Sequence, residues 1–474
     1  MIWFMSATPT IYLIIEHSIP IKKILVNLFF KKCFFDIILS KEASIVKKKL
    51  IIISIDALGA MDIELHKDKL PTLSQLIDEG SHVEKVKGIY PTLTYPSHVT
   101  LMTGEYPKKH GVVNNTKTQA TRLSPDWYWY DKEIKVPTLY STAKDEGLKT
   151  AAFLWPVTAS SSIDYNIAEI FPNRIWTNQV MISLKASSPL FLLKMNQKYG
   201  HLRKGIMQPY LDDFITACAV DTIEHYQPDL TLIHLVDMDS MRHAYGVQSE
   251  EAIEALKRQD ERLAKIIQAT KDNGTFESTN FVVLGDHYQI DVDTMIKLNT
   301  LFVKKGWAES KPNGGIKNNW QVYAKSCDGS TYIYCKKNSS VDPKDIYNEI
   351  NNLEGIEAIY TSEESDKMGA DPNATFMVEA KAGYYFTDEI TGPLFKKVTK
   401  EAIGQPNRYF GIHGSHPDKP QYETTVCFFG PDIKKGLKIP TAHLVDEAPT
   451  FAKLLGLKHF PTTVSGQIIK DIFN

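Results

Sequence analysis

Apolar and polar residues alternate along most of this chain in stretches typical of buried strands followed by amphipathic helices. Residues 50–55 form a continuous apolar, β-branched run, which predicts a strand covered on both faces. Similar runs predict strands at residues 150–154, 230–236 and 281–284. Helical patterns with capping or stop signals lie at residues 72–79, 137–146, 210–225 and 249–270. This rhythm predicts an α/β fold with a largely parallel central sheet flanked by helices.

The rhythm breaks in one long internal stretch. Between residues 291 and 385 the pattern predicts a hairpin at 319–335, a helix near 343–352 and polar, Gly-rich connections. A smaller α+β cap inserted into the sheet domain accounts for this change. We therefore expect an N-terminal extension, a catalytic α/β domain in two parts, and a cap between those parts. The corresponding residues are 1–47, 48–290 with 386–474, and 291–385. The last strand and helix are expected at 422–429 and 446–455.

The first 47 residues follow a pattern of their own. Residues 24–39 are heavily apolar, but Lys31, Lys32 and Asp36 interrupt the run, so it falls short of the roughly 18 uninterrupted apolar residues of a spanning helix. Its polar residues recur at helical spacing, which indicates an amphipathic helix. Two interpretations remain: a docked helix or poorly ordered extension, and membrane-surface contact through residues 22–40. The stretch lacks the features of a signal peptide, so a cytoplasmic or membrane-peripheral location is favoured.

Composition and charge narrow the possible partners. With 474 residues, 43% of them hydrophobic, the chain can bury a large core. A formal net charge of -2 and the lack of a long basic tract after residue 50 argue against a nucleic-acid polymer as partner. A small phosphoester remains compatible with this charge.

The five cysteines are scattered, which predicts neither a disulfide framework nor a cysteine zinc site. A two-residue turn at Asp328-Gly329 would pair Val322 with Cys335, so Cys327 and Cys335 are not expected to face each other. Any metal must therefore be bound by Asp and His.

A hydroxyl at a predicted helix start is the first candidate for chemistry. Thr94 stands just before a Pro-led apolar run, and the opening of a helix presents free N–H groups and positive dipole to an anion. A threonine is a poor nucleophile unless a base or a metal activates it. The sequence therefore predicts an activating group elsewhere in the chain.

Six carboxylate and imidazole side chains lie at or near the ends of predicted strands. They are Asp56, Asp239, His243, Asp286, His287 and His413. Any one of them alone is more often a cap or a hydrogen-bonded polar residue. Because ligands gather at the carboxyl ends of parallel strands, all six and Thr94 are expected to face one edge of one sheet. Together they are the ligand set that a pair of zinc-like ions would use.

Several separated motifs in a fixed order add a resemblance to a known family. They lie at residues 54–59, 91–98, 103–115, 153–156, 239–243, 285–287 and 413–414. The chain resembles the alkaline phosphatase superfamily and, within it, the type I phosphodiesterase/nucleotide pyrophosphatase family. The resemblance runs from about residue 50 to the C-terminus.

This resemblance implies a metal-dependent hydrolase of phosphoric esters that forms a covalent intermediate on Thr94. It assigns one divalent ion to Asp56, Thr94, Asp286 and His287, and the second to Asp239, His243 and His413. The first ion would lower the pKa of the Thr94 hydroxyl and the second would activate water. Asn115 would donate a hydrogen bond to a phosphoryl oxygen. Zinc is favoured by these ligands, although Mn or Fe would fit the same set.

The chain departs from the family's pattern beside the nucleophile. Leu93 and Ser97 stand where animal nucleotide-cleaving members usually carry Lys and Asn, and Tyr288 replaces the usual Gly after Asp-His. The leaving group, and the choice between diester and monoester, therefore stay open. A phosphonoacetate-type hydrolase and a phosphomonoesterase remain alternatives on the same scaffold. An inactive binding protein is disfavoured, because the chain keeps the nucleophile and all the metal ligands of the family's motifs.

Three aromatic residues and two histidines near these motifs could contact the substrate or have a purely structural role. Tyr95, Trp155 and Tyr165 could stack on a base or bind choline, but core packing is the favoured interpretation. His98 and His110 are expected to make structural hydrogen bonds.

Overall fold

Residues 48–312 and 315–474 are described by the computed structural model, and strands alternate with one or more helices over most of residues 49–304. The strands are, in chain order, β1 (Lys49–Ile55), β2 (Ser81–Lys87), β3 (Thr150–Phe153), β4 (Tyr165–Ile167), β5 (Leu230–Leu235), β6 (Thr279–Leu284), β7 (Ile290–Ile296), β8 (Val322–Ser326), β9 (Ser330–Cys335), β10 (Ile356–Thr361), β11 (Phe376–Ala380), β12 (Gly383–Phe386), β13 (Phe395–Lys397), β14 (Gly411–Ile412), β15 (Thr424–Phe429) and β16 (Leu437–His443).

The α-helices of the same residues lie between and after these strands. They are α1 (Ala60–His66), α2 (Pro71–Glu79), α3 (Thr94–Thr103), α4 (Pro107–His110), α5 (Leu139–Asp145), α6 (Gln179–Ala186), α7 (Pro189–Tyr199), α8 (Tyr210–Tyr226), α9 (Asp237–Tyr245), α10 (Glu250–Asp272), α11 (Leu298–Lys304), α12 (Pro343–Ile350), α13 (Ser362–Lys367) and α14 (Glu447–Leu455). No helix in the described ranges combines the length and the apolar character needed to cross a bilayer.

Eight strands form the central sheet in the order β16-β2-β15-β6-β1-β5-β3-β4. The β15 strand is antiparallel to both of its neighbours, and the remaining pairs are parallel. The predicted α/β fold with a largely parallel sheet is therefore confirmed. The β1 strand lies at the centre, parallel to β5 on one side and to β6 on the other.

Each face of the central sheet carries its own apolar core, as the continuous apolar run of β1 predicts. Ile51, Ile53 and Ile55 point to one face, where α2, α8 and α10 pack. Leu50 and Ile52 point to the other face, which α3, α5 and α14 cover. The central strand is thus held from both sides, and its carboxyl end is a fixed position on which side chains can be placed.

A four-stranded antiparallel sheet in the order β10-β11-β9-β8 has a separate apolar core with α11 and α12. In its hairpin Val322 lies opposite Cys335, and the Cys327 N–H donates to Ser330 O, so the predicted register is confirmed. Cys218, Cys327, Cys335 and Cys427 are free thiols. Residues 48–474 pack as one compact unit, and the division into a two-part catalytic domain and a cap stays a prediction. The predictions for residues 1–47 and 22–40 lie outside the described residues.

Candidate metal centre and nucleophile

Two neighbouring strands of the central sheet deliver three of the predicted ligands. Asp56 directly follows β1, and Asp286 and His287 follow β6 after one glycine. The Ala57 N–H donates to Asp286 Oδ1 at 3.2 Å, which joins the two strand ends. His287 Nε2 lies 3.4 Å from Asp56 Oδ1 and 3.2 Å from Asp286 Oδ2. These three side chains therefore meet at one point at the carboxyl edge of the sheet.

Thr94 is the first residue of α3, and its hydroxyl reaches the same point. Thr94 Oγ1 lies 3.0 Å from His287 Nε2. One turn later, His98 Nδ1 lies 2.8 Å from Thr94 O, and His98 Nε2 lies 3.0 Å from Ser54 Oγ. The predicted structural role of His98 is confirmed, since its ring ties the start of α3 to β1.

Asn115 binds the backbone of the residue that follows Thr94. The Tyr95 N–H donates to Asn115 Oδ1 at 2.9 Å, which leaves the amide nitrogen as the donor end of the Asn115 side chain. Pro96 has no N–H, and the Ser97 N–H donates to Leu93 O at 2.9 Å. The helix start therefore offers fewer free N–H groups than we expected from the sequence, because Asn115 occupies one of them.

Asp239 and His243 lie four residues apart on α9 and thus on one face of that helix. His243 Nε2 is 3.4 Å from Asp239 Oδ1. Its Nδ1 donates to Gly411 O at 2.8 Å, which fixes the tautomer and turns Nε2 towards Asp239. Gln289 Nε2 donates a short hydrogen bond to Asp239 Oδ1. Both predicted ligands are therefore oriented by partners outside the predicted set.

His413 reaches the edge of the central sheet from a strand of another sheet. It follows β14, a two-residue strand that pairs antiparallel with β7 rather than with the central sheet. The His413 ring centroid nevertheless lies 4.3 Å from that of His287 and 5.0 Å from that of His243. The side chain thus lies between ligands from the central sheet and ligands from α9.

The donor atoms fall into two groups that could each hold a cation. The atoms of Asp239, His243 and His413 lie within 4.8 Å of one another, and so do those of Asp56, Asp239 and His287. Asp239 belongs to both groups, whereas the family resemblance assigns it to one ion only. Two adjacent groups with a shared carboxylate suit a pair of divalent ions close together.

The electrostatics of these side chains fit a bound cation. Burial, and then the charge of Asp239, raises the pKa of Asp56 well above its usual range. Burial and the charge of Asp56 do the same to the pKa of Asp286. Burial lowers the pKa of His287, and lowers that of His413 to about 3, so both rings stay neutral. Asp56 Oδ1 and Asp286 Oδ2 are buried and have no hydrogen-bond donor among the described residues. A divalent cation would satisfy both oxygens and favour the charged carboxylates.

One supporting histidine was missed at the sequence level. His234 Nε2 lies 3.1 Å from Asp56 Oδ2, and its Nδ1 lies 3.1 Å from Leu154 O. His234 is buried on β5, in a run that is otherwise mostly apolar. A histidine inside a strand covered on both faces needs a polar partner, and this was the signal available in the sequence.

The three aromatic candidates for substrate contact pack in the core, as the favoured interpretation held. Tyr95 and Trp155 are buried, and the Trp155 ring lies 4.8 Å from the His98 ring in an edge-on contact. Tyr165 packs against Tyr226, with ring centroids 4.7 Å apart. The ring of His110 lies 3.2 Å from Thr100 Oγ1, a structural hydrogen bond as expected.

Tyr288 and Leu93, two of the departures from the family's pattern, are accommodated by packing. The Tyr288 ring lies against Gly59, where an added Cβ would come within 2.2 Å of it, and 4.9 Å from the Arg242 guanidinium. Leu93 is buried in an apolar cluster with Tyr90 and Tyr332. Neither side chain displaces one of the predicted ligands.

The model of one protein family, type I phosphodiesterase / nucleotide pyrophosphatase, matches residues 50–416. The chain belongs to this family. Its α/β fold with the mixed central sheet is the alkaline-phosphatase-like fold of that family.

Curated relatives of this phosphodiesterase-family chain include two human proteins. It is 23% identical over 451 residues to bis(5'-adenosyl)-triphosphatase ENPP4, covering 89% of this chain and 81% of the relative. It is 25% identical over 250 residues to ectonucleotide pyrophosphatase/phosphodiesterase family member 1, covering 50% of this chain and 23% of the relative. The chain thus spans about a quarter of that longer relative.

Solved structures with the same fold include ectonucleotide pyrophosphatase/phosphodiesterase 5 from mouse, an inactive form in complex with AMP. The TM-score is 0.63 at 16% identity, with 90% of this chain and 100% of that chain covered. The human protein gives the same TM-score at 18% identity. At this identity the likeness shows a shared fold.

Proposed function

We propose that this family member hydrolyses phosphodiester or pyrophosphate bonds, with Thr94 as the nucleophile. The observation that carries the proposal is the position of the Thr94 hydroxyl, 3.0 Å from His287 Nε2 and beside buried carboxylates with unsatisfied oxygens. A threonine hydroxyl is a weak nucleophile unless a base or a metal ion lowers its pKa, and the surrounding carboxylates and imidazole could bind such an ion. The relatives' names, a phosphodiesterase and a triphosphatase among them, support this choice of reaction.

The predicted ligands would hold two divalent ions. Thr94, Asp56, Asp286 and His287 would surround one ion, and Asp239, His243 and His413 the other. When bound, such ions supply positive charge that lowers the pKa of a hydroxyl and stabilises negative charge on a phosphoryl group. The buried, neutral imidazoles and the unsatisfied carboxylates support this assignment.

Side chains of the protein position the nucleophile for the reaction. The His98 ring holds the start of α3 and so restricts the position of Thr94. In the proposed reaction the Thr94 oxygen attacks phosphorus in line with the leaving oxygen. The Thr94 hydroxyl gives up its proton to solvent as its oxygen forms a bond to phosphorus. The bond from phosphorus to the leaving oxygen breaks, and the leaving group takes up a proton from solvent and departs as an alcohol or a phosphate. Water then breaks the Thr94 O–P bond and restores the hydroxyl.

Asn115 would stabilise the group in transfer. Its Oδ1 accepts the Tyr95 N–H, so its amide nitrogen is aimed away from the helix backbone and can donate to a non-bridging oxygen. A donor that is held in place before the reaction stabilises developing charge without reorganisation.

The test compares Thr94→Ala with the wild type on bis(p-nitrophenyl) phosphate, in metal-free buffer and with Zn or Mn added. We expect two bound metals per chain, metal-dependent turnover, and a loss of about 1000-fold or more in Thr94→Ala. Thr391→Ala is the matched control, because Thr391 is exposed. A wild type that binds no metal and turns nothing over, or a Thr94→Ala variant within tenfold of the wild type, contradicts the proposal.

A second assay ranks the substrates. It compares a nitrophenyl monoester, a nucleotide diester, a phosphocholine ester and phosphonoacetate under the same metal conditions. We expect the diester to give the highest kcat/KM. Preference for the monoester or for phosphonoacetate would assign the same site to one of the alternative reactions.

A further inference from the structure

One segment of the chain carries most of the large apolar side chains that the described residues expose. Thirteen such side chains are exposed, and eight of them lie between residues 170 and 211. These eight, which we call the apolar surface, are Ile175, Trp176, Val180, Met181, Leu190, Leu193, Ile206 and Met207. Trp176 is 78% exposed and Leu190 is 82% exposed. Single exposed apolar residues are ordinary, but a concentration of this kind marks an interaction site.

Three residues of the apolar surface line one cavity. Val180 on α6, Leu193 on α7 and Ile206 in the loop after α7 all line a cavity of about 340 Å³. The lining of the same cavity also includes Glu169 and Ser240, the second of which is the neighbour of the candidate ligand Asp239. Apolar side chains from three separate elements therefore face one opening, close to the candidate metal centre.

All the ionised side chains of residues 170–211 carry positive charge. Residues 170–211 contain no Asp or Glu, in a chain whose net charge is -2. They contain six basic residues: Arg174, Lys185, Lys194, Lys198, Arg203 and Lys204. Arg174 pairs with Asp126 and Lys198 with Asp221, both carboxylates from outside the segment. The other four form no ion pair with any described carboxylate. Lys194, Arg203 and Lys204 contact aromatic rings of the protein, so their positive charge is not neutralised by a carboxylate.

We propose that the apolar surface docks on a lipid bilayer that contains anionic headgroups. Exposed apolar side chains beside lysines, with a tryptophan among them, are the chemistry of a protein surface that lies in the membrane interface. Each Lys or Arg close to such a surface adds attraction to the anionic lipids. The inference concerns a surface of the described residues and is independent of the proposed function and of residues 22–40.

A second copy of the chain is a poorer occupant of this surface. In a two-fold symmetric dimer the same patch lies on both subunits, so the unpaired Lys185, Lys194, Arg203 and Lys204 would face their own copies. Like charges in an interface oppose association. An anionic bilayer instead pairs with all of these groups at once.

The first experiment measures the partition of the full chain onto vesicles by co-sedimentation. Vesicles of phosphatidylcholine alone are compared with vesicles that also contain phosphatidylglycerol. We expect binding to the anionic vesicles, weakened by salt. The variant Lys185→Glu/Lys204→Glu should lower the partition coefficient by at least about 25-fold. The control, Lys396→Glu/Lys400→Glu, changes the charge equally at exposed lysines elsewhere and should leave the partition coefficient near that of the wild type.

The second experiment tests the apolar contact. Ile206→Ser/Met207→Ser should bind anionic vesicles more weakly than the wild type, while Leu123→Ser, at a similarly exposed leucine, should bind as the wild type does. Lipids with bromine on the acyl chain should quench tryptophan fluorescence, and Trp176→Phe should remove most of that quenching.

Three results would overturn the proposal. One is equal partition of the wild type and Lys185→Glu/Lys204→Glu, which would place the contact elsewhere in the chain. Another is quenching that survives in Trp176→Phe. The third is a wild type that binds no vesicles but forms a dimer that Ile206→Ser/Met207→Ser dissociates, because the surface would then be an interface between two copies.

Discussion

The two sides of the candidate site are built in different ways. On what we call the sheet side, Asp56, Asp286 and His287 extend from adjacent strands of the central sheet, and Thr94 opens a buried helix. On the helix side, Asp239 and His243 lie on the nine-residue α9, and His413 follows a two-residue strand. The side chain of His243 is 18% exposed, whereas those of Asp286 and His287 are fully buried. The sheet side is therefore fixed by the core, and the helix side by local hydrogen bonds.

Because of this difference, we expect substitutions on the two sides to affect the metal-dependent activity in different ways. A ligand whose backbone belongs to the central sheet cannot move to compensate for the loss of a neighbour. Solvent already reaches the His243 side chain, so water can replace it in part as a ligand. Changes on the sheet side should thus abolish the activity, while those on the helix side should weaken the binding of an ion.

The largest effect is expected from Asp286→Asn on the sheet side. The amide keeps the size of the side chain but removes its charge, so kcat/KM should fall about 1000-fold, equivalent to about 4 kcal/mol of transition-state stabilisation. The measurement is turnover of the nitrophenyl diester at saturating Zn. Asp293→Asn, at a half-exposed carboxylate, is the control with the same chemistry. Activity within tenfold of the wild type would show that the sheet side is not essential.

His243→Ala on the helix side should reduce activity in a way that added metal reverses. With one ligand replaced by water, the Zn concentration at half-maximal activity should rise about 10- to 100-fold, while the rate at saturation largely recovers. A Zn titration of the activity measures both quantities. His459→Ala, at an exposed histidine, is the control. If the activity of His243→Ala did not recover at high Zn, the two sides of the site would not differ in the way that we propose.

His234→Gln is expected to cause a smaller loss, of about tenfold in metal affinity, because His234 positions Asp56 without being a predicted ligand. Competition with a chelator measures the affinity. His82→Gln is the matched control, since His82 is also buried and hydrogen-bonded within the central sheet. An affinity equal to that of the wild type would mean that the sheet alone fixes Asp56.

The last prediction concerns the stability of the link between the two sides rather than activity. Glu379 on β11 accepts hydrogen bonds from the Tyr90 hydroxyl at 2.9 Å and from the His416 N–H at 3.0 Å. Tyr90 lies four residues before Thr94, and His416 lies three residues after His413. The carboxylate thus connects the loop on the sheet side with the loop on the helix side.

The pH dependence of stability tests this link. Burial raises the pKa of Glu379 to about 7, despite the nearby Lys419 ammonium. The folded state therefore holds a proton that the unfolded chain releases near its ordinary pKa. The stability from that proton is complete below about pH 4.5 and disappears as the pH rises through about 7. Between pH 5 and 8 the free energy of unfolding of the wild type, relative to Glu379→Gln, should fall by about 1–3 kcal/mol. Denaturant unfolding measures it, and a constant difference would contradict the raised pKa.

The sequence predicted the sheet side more completely than the helix side, for a physical reason. Asp56, Asp286 and His287 follow long apolar runs, and the end of a buried strand is readily recognised. His413 follows a strand of two residues, which is too short to produce a periodic signal, so the sequence did not show which sheet this strand joins. His234 was overlooked because a histidine that supports a ligand follows no spacing rule.

The same limit explains the missed helices α6 and α7. Their exposed apolar residues, such as Val180 and Leu193, lie on the face where a polar residue is expected, so the contrast between the two faces is weak. The feature that hid these helices from the sequence pattern is the one that we propose meets the membrane.

The most direct test of the central claim is to trap the covalent intermediate on Thr94. The wild type would be mixed with a nucleotide diester, quenched in acid within milliseconds, digested and examined by mass spectrometry. We predict a peptide that carries the transferred phosphoryl or nucleotidyl group on Thr94, absent in Thr94→Ala. Rapid turnover with Thr94 unmodified at every quench time, or the same group found on another residue, would contradict the account.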